Sequence, residues 1–518
     1  MLCPTRHDWH GCGIVATVNP PPAAETTQQP LVYGSARGRW VLAATVLGSG
    51  LAFIDATVVN VALPRIGEDL DADISGLQWT INAYTLTLAA LILLGGSLGD
   101  RFGRRRVFVA GVVWFAVASL LCGIAPNIET LVVARALQGV GGALLTPGSL
   151  AILQSSFRTQ DRARAIGAWS GLGGIAGAAG PFVGGWIVDV ASWRLVFLIN
   201  LPLAVAVVVI TARHVPESLD PEASRSLDLL GAALGALGLG ALTYGLISWQ
   251  ERGFSSPLVL AALALGVAAL LGFLGREKWA REPMLPLGIF RSTVFSATNA
   301  VTFTVYAALS GVLFLLVLQL QVVGGYSALA AGTSLLPVTV LLLLLSARAG
   351  ALASRIGPRV PMSVGPLISA AGVALMVRIG PNTSYVVDVL PAATVFGLGL
   401  ALTVAPLTAT VLAAAPDRHA GLASGVNNAV ARVAGLLAVA ALPLVAGLTG
   451  EAYADPELLD PSFRTAMVVC AGLLTAGGLL SAVTIRNPRP DAQAGDPGVH
   501  HRHCAVGAPP AAVSSPPR

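Results

Sequence analysis

Fourteen apolar runs, each close to the length that crosses a lipid bilayer, limit what this chain can fold into more than any other feature. They cover 41–63, 77–98, 107–125, 129–153, 165–187, 194–212, 228–249, 257–275, 293–318, 329–347, 360–378, 387–411, 421–447 and 465–485. A helix needs roughly 20 apolar residues to cross the hydrocarbon. Backbone N–H and C=O groups find no water there, so only helices and closed barrels can span it. The runs are continuous and lack period-two alternation, which selects helices. Composition points the same way: 11% of residues are charged, against about 25% in soluble domains.

The net charge of +5 would suggest nucleic acid in a soluble protein. Here the cations fall in short segments between spans, and no basic stripe is interleaved with aromatics, so no nucleic-acid partner is expected. With the N-terminus inside, cytoplasmic segments hold 24 of the 31 Lys and Arg residues and the outer loops hold five. That asymmetry predicts an inner-membrane protein of bacterial type with both termini cytoplasmic. The outer loops carry acids instead: Glu68, Asp69, Asp71 and Asp73 after the first span, and Glu451, Asp455, Glu457 and Asp460 after the thirteenth. The five cysteines show no pairing or metal-ligand spacing, so neither a disulfide framework nor a metal site is expected. There is no phosphate-binding loop, zinc motif or nucleophile elbow, so no enzyme is expected, and no cofactor either. The energy source left is the proton-motive force.

Two segments recur at one offset. Gly96–Arg106 reads GSLGDRFGRRR, and Gly350–Arg359 reads GALASRIGPR, with Gly96, Leu98, Arg101, Gly103 and Arg105 each matched 254 positions later. The same offset pairs Gly167, Ser170 and Gly171 with Gly421, Ser424 and Gly425. A shared offset implies a duplication, as in many secondary transporters. Spans 1–6 then correspond to spans 9–14, with two spans inserted. The expected fold class is an all-α membrane protein of 6+2+6 helices, two pseudo-symmetric six-helix bundles around a central cavity. The divisions are a disordered cytoplasmic tail (1–40), a first bundle (41–212), two inserted helices with linkers (213–292), a second bundle (293–485) and a second disordered tail (486–518).

A charge deep in an apolar span costs roughly 2.5–3.5 kcal/mol on insertion scales, so each one requires a reason. Asp55 is the only carboxylate well inside a span, and Arg135 enters the fourth span at similar depth. Pairing would offset both desolvation costs. Burial opposes the charge on Asp55 and a nearby arginine supports it, so a change of conformation can load or release a proton or a cationic substrate there. The fifth span carries Gly177, Gly180, Pro181, Gly184 and Gly185. Small residues at four-residue spacing allow close helix approach, and a proline removes a backbone bond, which together suit a gate. In the loop between spans 2 and 3, Gly96 and Gly103 permit a tight turn. Asp100 can approach a helix N-terminus, and Arg101, Arg104 and Arg105 can reach carboxylates or membrane lipid phosphates. Asn60, Trp79, Asn82, Tyr84, Gln138, Tyr306, Gln319, Asn427, Asn428 and Arg432 are candidates for lining the cavity.

Together these residues resemble the major facilitator superfamily, and in particular its fourteen-helix drug:proton antiporters, over about residues 40–485. Gly96–Arg105 is similar to that superfamily's signature between helices 2 and 3. Asp55–Pro64 (DATVVNVALP) resembles the narrower signature of the fourteen-helix group. Arg135, Gln138 and Gly139 look like its helix 4 proton-coupling motif, and Gly177–Gly185 like its helix 5 antiporter motif. The resemblance implies two bundles rocking about a cavity, with inward proton flow driving a small molecule out and the protein working as a monomer. It gives Asp55 a proton or cation role, Arg135 a coupling role, and Asp100 with its arginines the role of a conformational latch. The implied cargo is amphipathic or cationic, as in multidrug efflux. The alternatives are a dedicated exporter of one metabolite, such as an antibiotic, siderophore or lipid, and a proton-symport importer. The copies are unequal: Ser354 stands opposite Asp100, Leu309 opposite Asp55, and span 10 lacks the acid that some members carry for dications.

Overall fold

The computed structural model describes residues 30–219, 228–280, 283–414, 420–448 and 453–487. Fourteen helices among them are long and apolar enough to cross a membrane. They are α1 (Ala36–Leu70), α2 (Ile74–Phe102), α3 (Arg104–Gly123), α4 (Ile128–Ser156), α5 (Gln160–Val190), α6 (Leu195–His214), α7 (Leu229–Arg252) and α8 (Pro257–Trp279). The second series is α9 (Thr293–Val323), α10 (Ala328–Ile356), α11 (Arg359–Met376), α12 (Tyr385–Ala413), α13 (Leu422–Val445) and α14 (Pro456–Thr484). The all-helical class and the number of spans are as the apolar runs predict.

Polar caps, not hydropathy, set several helix ends, so α1, α2 and α4 outrun the apolar segments inside them. The side chains of Ser35, Asp73 and Asn127 accept from the backbone N–H of Gly38, Gly76 and Thr130, each satisfying a donor that a helix start leaves open. Two expectations need correction. The N-terminal tail is not irregular up to residue 40, because Leu31 exchanges backbone hydrogen bonds with Ser156 and Arg158 and α1 begins at Ala36. The rest of that tail, residues 1–29, lies outside the described residues, as do 488–518. The segment read as a loop at Gly96–Arg106 is nearly all helix: α2 runs to Phe102, α3 starts at Arg104, and Gly103 alone (φ 107°) makes the turn.

Helix contacts repeat with the duplication. In the first six helices α1 packs on α5 and α6, α2 on α4, and α3 on α4 and α6. Eight helices later, α9 packs on α13 and α14, α10 on α12, and α11 on α12 and α14. The halves meet through α5 with α10 and through α2 with α13, again a matched pair. The inserted α7 and α8 pack on each other, and α7 lies across the seam against α2 and α13.

The halves are sealed at one end, the end with the acidic loops. There Gln78 Nε2 donates to the Val439 carbonyl at 2.7 Å, Gln321 Nε2 to that of Val61 at 3.1 Å, and Tyr453 Oη to that of Ala72 at 2.5 Å. Asp189 at the end of α5 accepts from the N–H groups of Ala328 and Leu329, which open α10. A single apolar cluster joins Val58, Ile66, Ile187 and Val188 of the first half to Val312, Leu335 and Leu442 of the second. Toward the arginine-rich end, the first half keeps its own cluster around Phe108, Phe115 and Phe157.

Candidate functional site

The two charges singled out from the apolar runs meet inside the first half. Asp55 on α1 and Arg135 on α4 pair at 2.5 Å, with 0% and 1% of their side chains exposed. Arg135 also donates through Nη1 to Gln138 Oε1 at 2.5 Å and through Nε to the Thr80 carbonyl of α2 at 2.9 Å. Its guanidinium lies 4.4 Å from the centre of the Tyr84 ring and 5.7 Å from that of Phe197, a stacking that suits a weakly hydrated cation.

The remaining carboxylate oxygen is held by neutral donors. Gln138 Nε2 donates to Asp55 Oδ1 at 2.8 Å and to Ser119 Oγ at 2.7 Å. Asn200 Nδ2 on α6 reaches the same two oxygens at 3.4 and 3.3 Å. The Cys122 thiol donates to Gln138 Oε1 at 3.7 Å. Helical spacing supplies two of these pairs, since Arg135 and Gln138 on α4, and Ser119 and Cys122 on α3, are three residues apart and share a face. Five helices of one half (α1, α2, α3, α4 and α6) therefore contribute to one buried network around the Asp55–Arg135 pair. Ser119 and Asn200 escaped sequence reasoning, because a lone serine or asparagine in a span carries no signal comparable to a charge.

Other sequence candidates fall in different places. Gln138 belongs to the buried network and not to an open cavity wall. Trp79 faces the inserted pair, its ring 6.5 Å from that of Tyr244 on α7. Gln319 is fully buried and donates to the Ile379 carbonyl and to Asp460, tying α9 to α14 near the acidic end. Asn427 accepts from Thr302, inside the second half. Asn82 and Tyr84 are buried, and neither side chain has a hydrogen-bond partner among the described residues. Asn60 is half-buried and donates to its own helix, at Ala56. Tyr306 and Arg432 are half-buried, and Asn428 is exposed.

The glycine run on α5 divides between two partners. At Gly180 an added Cβ would lie 2.0 Å from Thr57 Oγ1, and Gly184 is closed by Val58, so these face α1, as does Gly177, whose carbonyl accepts from Thr57. Gly185 and Pro181 face the other half instead, against Ala328, Leu329 and Gly332 of α10. At the turn after α2, Arg104 Nε donates to Asp100 Oδ1 at 2.8 Å, Arg101 lies over the Phe102 ring, and Gly96 faces Pro147 of α4. The backbone N–H of Arg105 donates to Glu217, three residues beyond the end of α6. Asn487, three residues beyond α14, accepts in the same way from Arg359 N–H.

Comparisons with known proteins bear on the family and the fold. The model of the Major Facilitator Superfamily matches residues 45–439. The chain is 35% identical to the methylenomycin A resistance protein of Bacillus subtilis (strain 168), over 81% of this chain and 90% of that protein. It is 34% identical to the multidrug resistance protein Stp of Mycobacterium tuberculosis (strain CDC 1551 / Oshkosh), over 80% of this chain and 77% of Stp. Among solved structures, a bacterial homolog of the human lysosomal transporter Spinster, in an inward-facing and unoccupied conformation, overlays with a TM-score of 0.61 at 17% identity. That overlay covers 87% of this chain and 97% of the other.

Proposed function

This chain belongs to the Major Facilitator Superfamily, and from that premise we propose that it is a proton-coupled antiporter that exports amphipathic small molecules by alternating access. Drug-efflux and resistance proteins at about 35% identity are the relatives it resembles. The observation that carries the coupling is the enclosed Asp55–Arg135 pair. A buried pair contributes little stability over an apolar replacement, whereas removing one partner is costly. Such a pair is suited to a reversible event: protonation of Asp55 removes its charge, frees the Arg135 guanidinium, and changes which packing of α1, α4 and α6 is favoured.

The matched contacts α5–α10 and α2–α13 supply the surfaces about which the halves would rock. In the state described they close the acidic end, which we assign to the outside of the cell, with both termini in the cytoplasm. Opening that end would separate Gly185 from Leu329 and release Asp189 from α10. Asp100 and Glu217, with their arginines, sit at the opposite end, where a latch would act. Amphipathic cargo follows more directly than cationic cargo. Asp55 is already paired with Arg135 and enclosed, and no other carboxylate among the described residues lies in the middle of a span. A dedicated exporter of one compound is the second reading, favoured by the relative named for methylenomycin A, whereas Stp is named for multidrug resistance.

The test is accumulation of an amphipathic fluorophore in everted membrane vesicles. Expected are uptake when the vesicle interior is acid, collapse on adding a protonophore, and no uptake in vesicles lacking the protein. Uptake indifferent to the proton gradient would remove the coupling.

A further inference from the structure

The middle of the membrane region holds three charges among the described residues: Asp55, Arg135 and Arg432. The first two neutralise each other. Arg432, near the centre of α13, has no hydrogen bond or ion pair among the described residues, so the interior they form carries one uncompensated positive charge. Guanidinium stays protonated in proteins, and an unpaired charge in an apolar setting is costly. Such a group calls for an anion.

Its surroundings suit a ligand. Gln78 of α2 meets Val439, and Leu93 of α2 meets Gly425, at 3.2 Å from a Cβ built there. Arg432 lies between those contacts, so it faces the stretch of α2 that contains Asn82 and Tyr84. On its other side, Thr302 and Ser310 of α9 meet Asn427 and Gly435 of α13, so Tyr306, on the same α9 face between them, lies at the level of Arg432. Both amide atoms of Asn82 are buried without a hydrogen-bond partner among the described residues. Tyr306 is only half-buried, and Asn428, one turn before Arg432, is exposed. Arg432, Asn82 and Tyr306 are thus brought to one level of the seam between the halves, whereas Tyr84 turns to Arg135 beside the enclosed carboxylate.

We propose that Arg432 is the docking point for an acidic group, a carboxylate or a phenolate, on the exported molecule, with the Tyr306 hydroxyl and the Asn82 amide as neutral donors. This rests on the exporter reading and narrows its cargo to amphipathic acids and zwitterions. Asp55 serves the proton and Arg432 serves the substrate, so the two need not compete for one side chain.

A matched pair of probes separates charge from shape: pyrenebutyrate and its methyl ester. Binding to the purified protein in nanodiscs is read by quenching of tryptophan fluorescence with no proton gradient present, so failure of coupling in the vesicle assay leaves this reading untouched. Wild type is expected to prefer the acid. Arg432→Gln should weaken acid binding about tenfold or more, the size of a lost charge-assisted bond, and leave the ester within about twofold, with Arg432→Lys in between. Unchanged ester binding also reports that the variant is folded. Equal losses for both probes, or no binding of the acid by wild type, overturn the proposal. So does a wild type in which replacing chloride by gluconate alters both probes alike, because the occupant would then be an inorganic anion.

Discussion

Asp55 accepts from Arg135, Gln138 and Asn200 while fully enclosed, so its neighbours cannot be changed one at a time without consequence. Arg135→Gln leaves a buried carboxylate without its cation and should destabilise the protein by about 3–5 kcal/mol. The double variant Asp55→Asn/Arg135→Gln, which removes both charges, should recover most of that loss. Thermal unfolding of the purified variants in detergent checks this, and a double variant no more stable than the single one would contradict it. The charged half of the site was legible in the sequence because a charge inside an apolar run is anomalous wherever it occurs. The neutral half was not. Ser119 and Asn200 are brought to Asp55 only by the packing of α3 and α6, and Gln138 looks equally suited to a cavity wall until its neighbours are known.

Helices were legible as spans and poorly legible at their ends. The apolar run at 41–63 marks α1, but the helix extends from Ala36 to Leu70 because Ser35 caps one end and Asp71, with φ 49°, closes the other. The basic segment after α2 reads as a loop because glycines and arginines are what turns are made of. It is helical up to Gly103, whose positive φ, with Glu217 lying where a side chain would go, restricts the turn to glycine. The glycines of α5 were recognised as close-packing surface, but sequence could not tell that Gly177, Gly180 and Gly184 serve α1 while Gly185 serves α10. The difference has a measurable consequence. An added Cβ at Gly185 would lie 2.6 Å from the Leu329 backbone, so Gly185→Val should prevent closure of the acidic end. Ala328, 4% exposed in the closed state, then becomes a reporter. Ala328→Cys should react with a membrane-impermeant maleimide several-fold faster in the Gly185→Val background. Equal labelling rates would mean that the α5–α10 contact does not hold that end shut.

At the scale of the whole molecule, duplication and asymmetry have separate effects. Helix contacts repeat faithfully, down to a polar residue three positions beyond α6 and α14 that accepts from the turn after α2 and α10. The charges do not repeat: Leu309, Ser354 and Asn487 stand where the first half has Asp55, Asp100 and Glu217. The first half therefore carries the enclosed acid, while the second contributes Arg432 to the seam. The repeat offset made the architecture readable from the chain alone. Which end is closed was not readable, because it depends on contacts between the halves, such as Gln78 with Val439 and Asp189 with Ala328, whose partners lie far apart in the chain.

Whether Asp55 couples protons to export is decided with purified protein in liposomes. Wild type and Asp55→Asn are compared in two modes, accumulation driven by an imposed pH gradient and exchange of labelled for unlabelled substrate with no gradient. If Asp55 carries the proton, Asp55→Asn, which keeps the size of the side chain but not its charge, loses gradient-driven accumulation and retains exchange. Gradient-driven accumulation at the wild-type level in Asp55→Asn would contradict it.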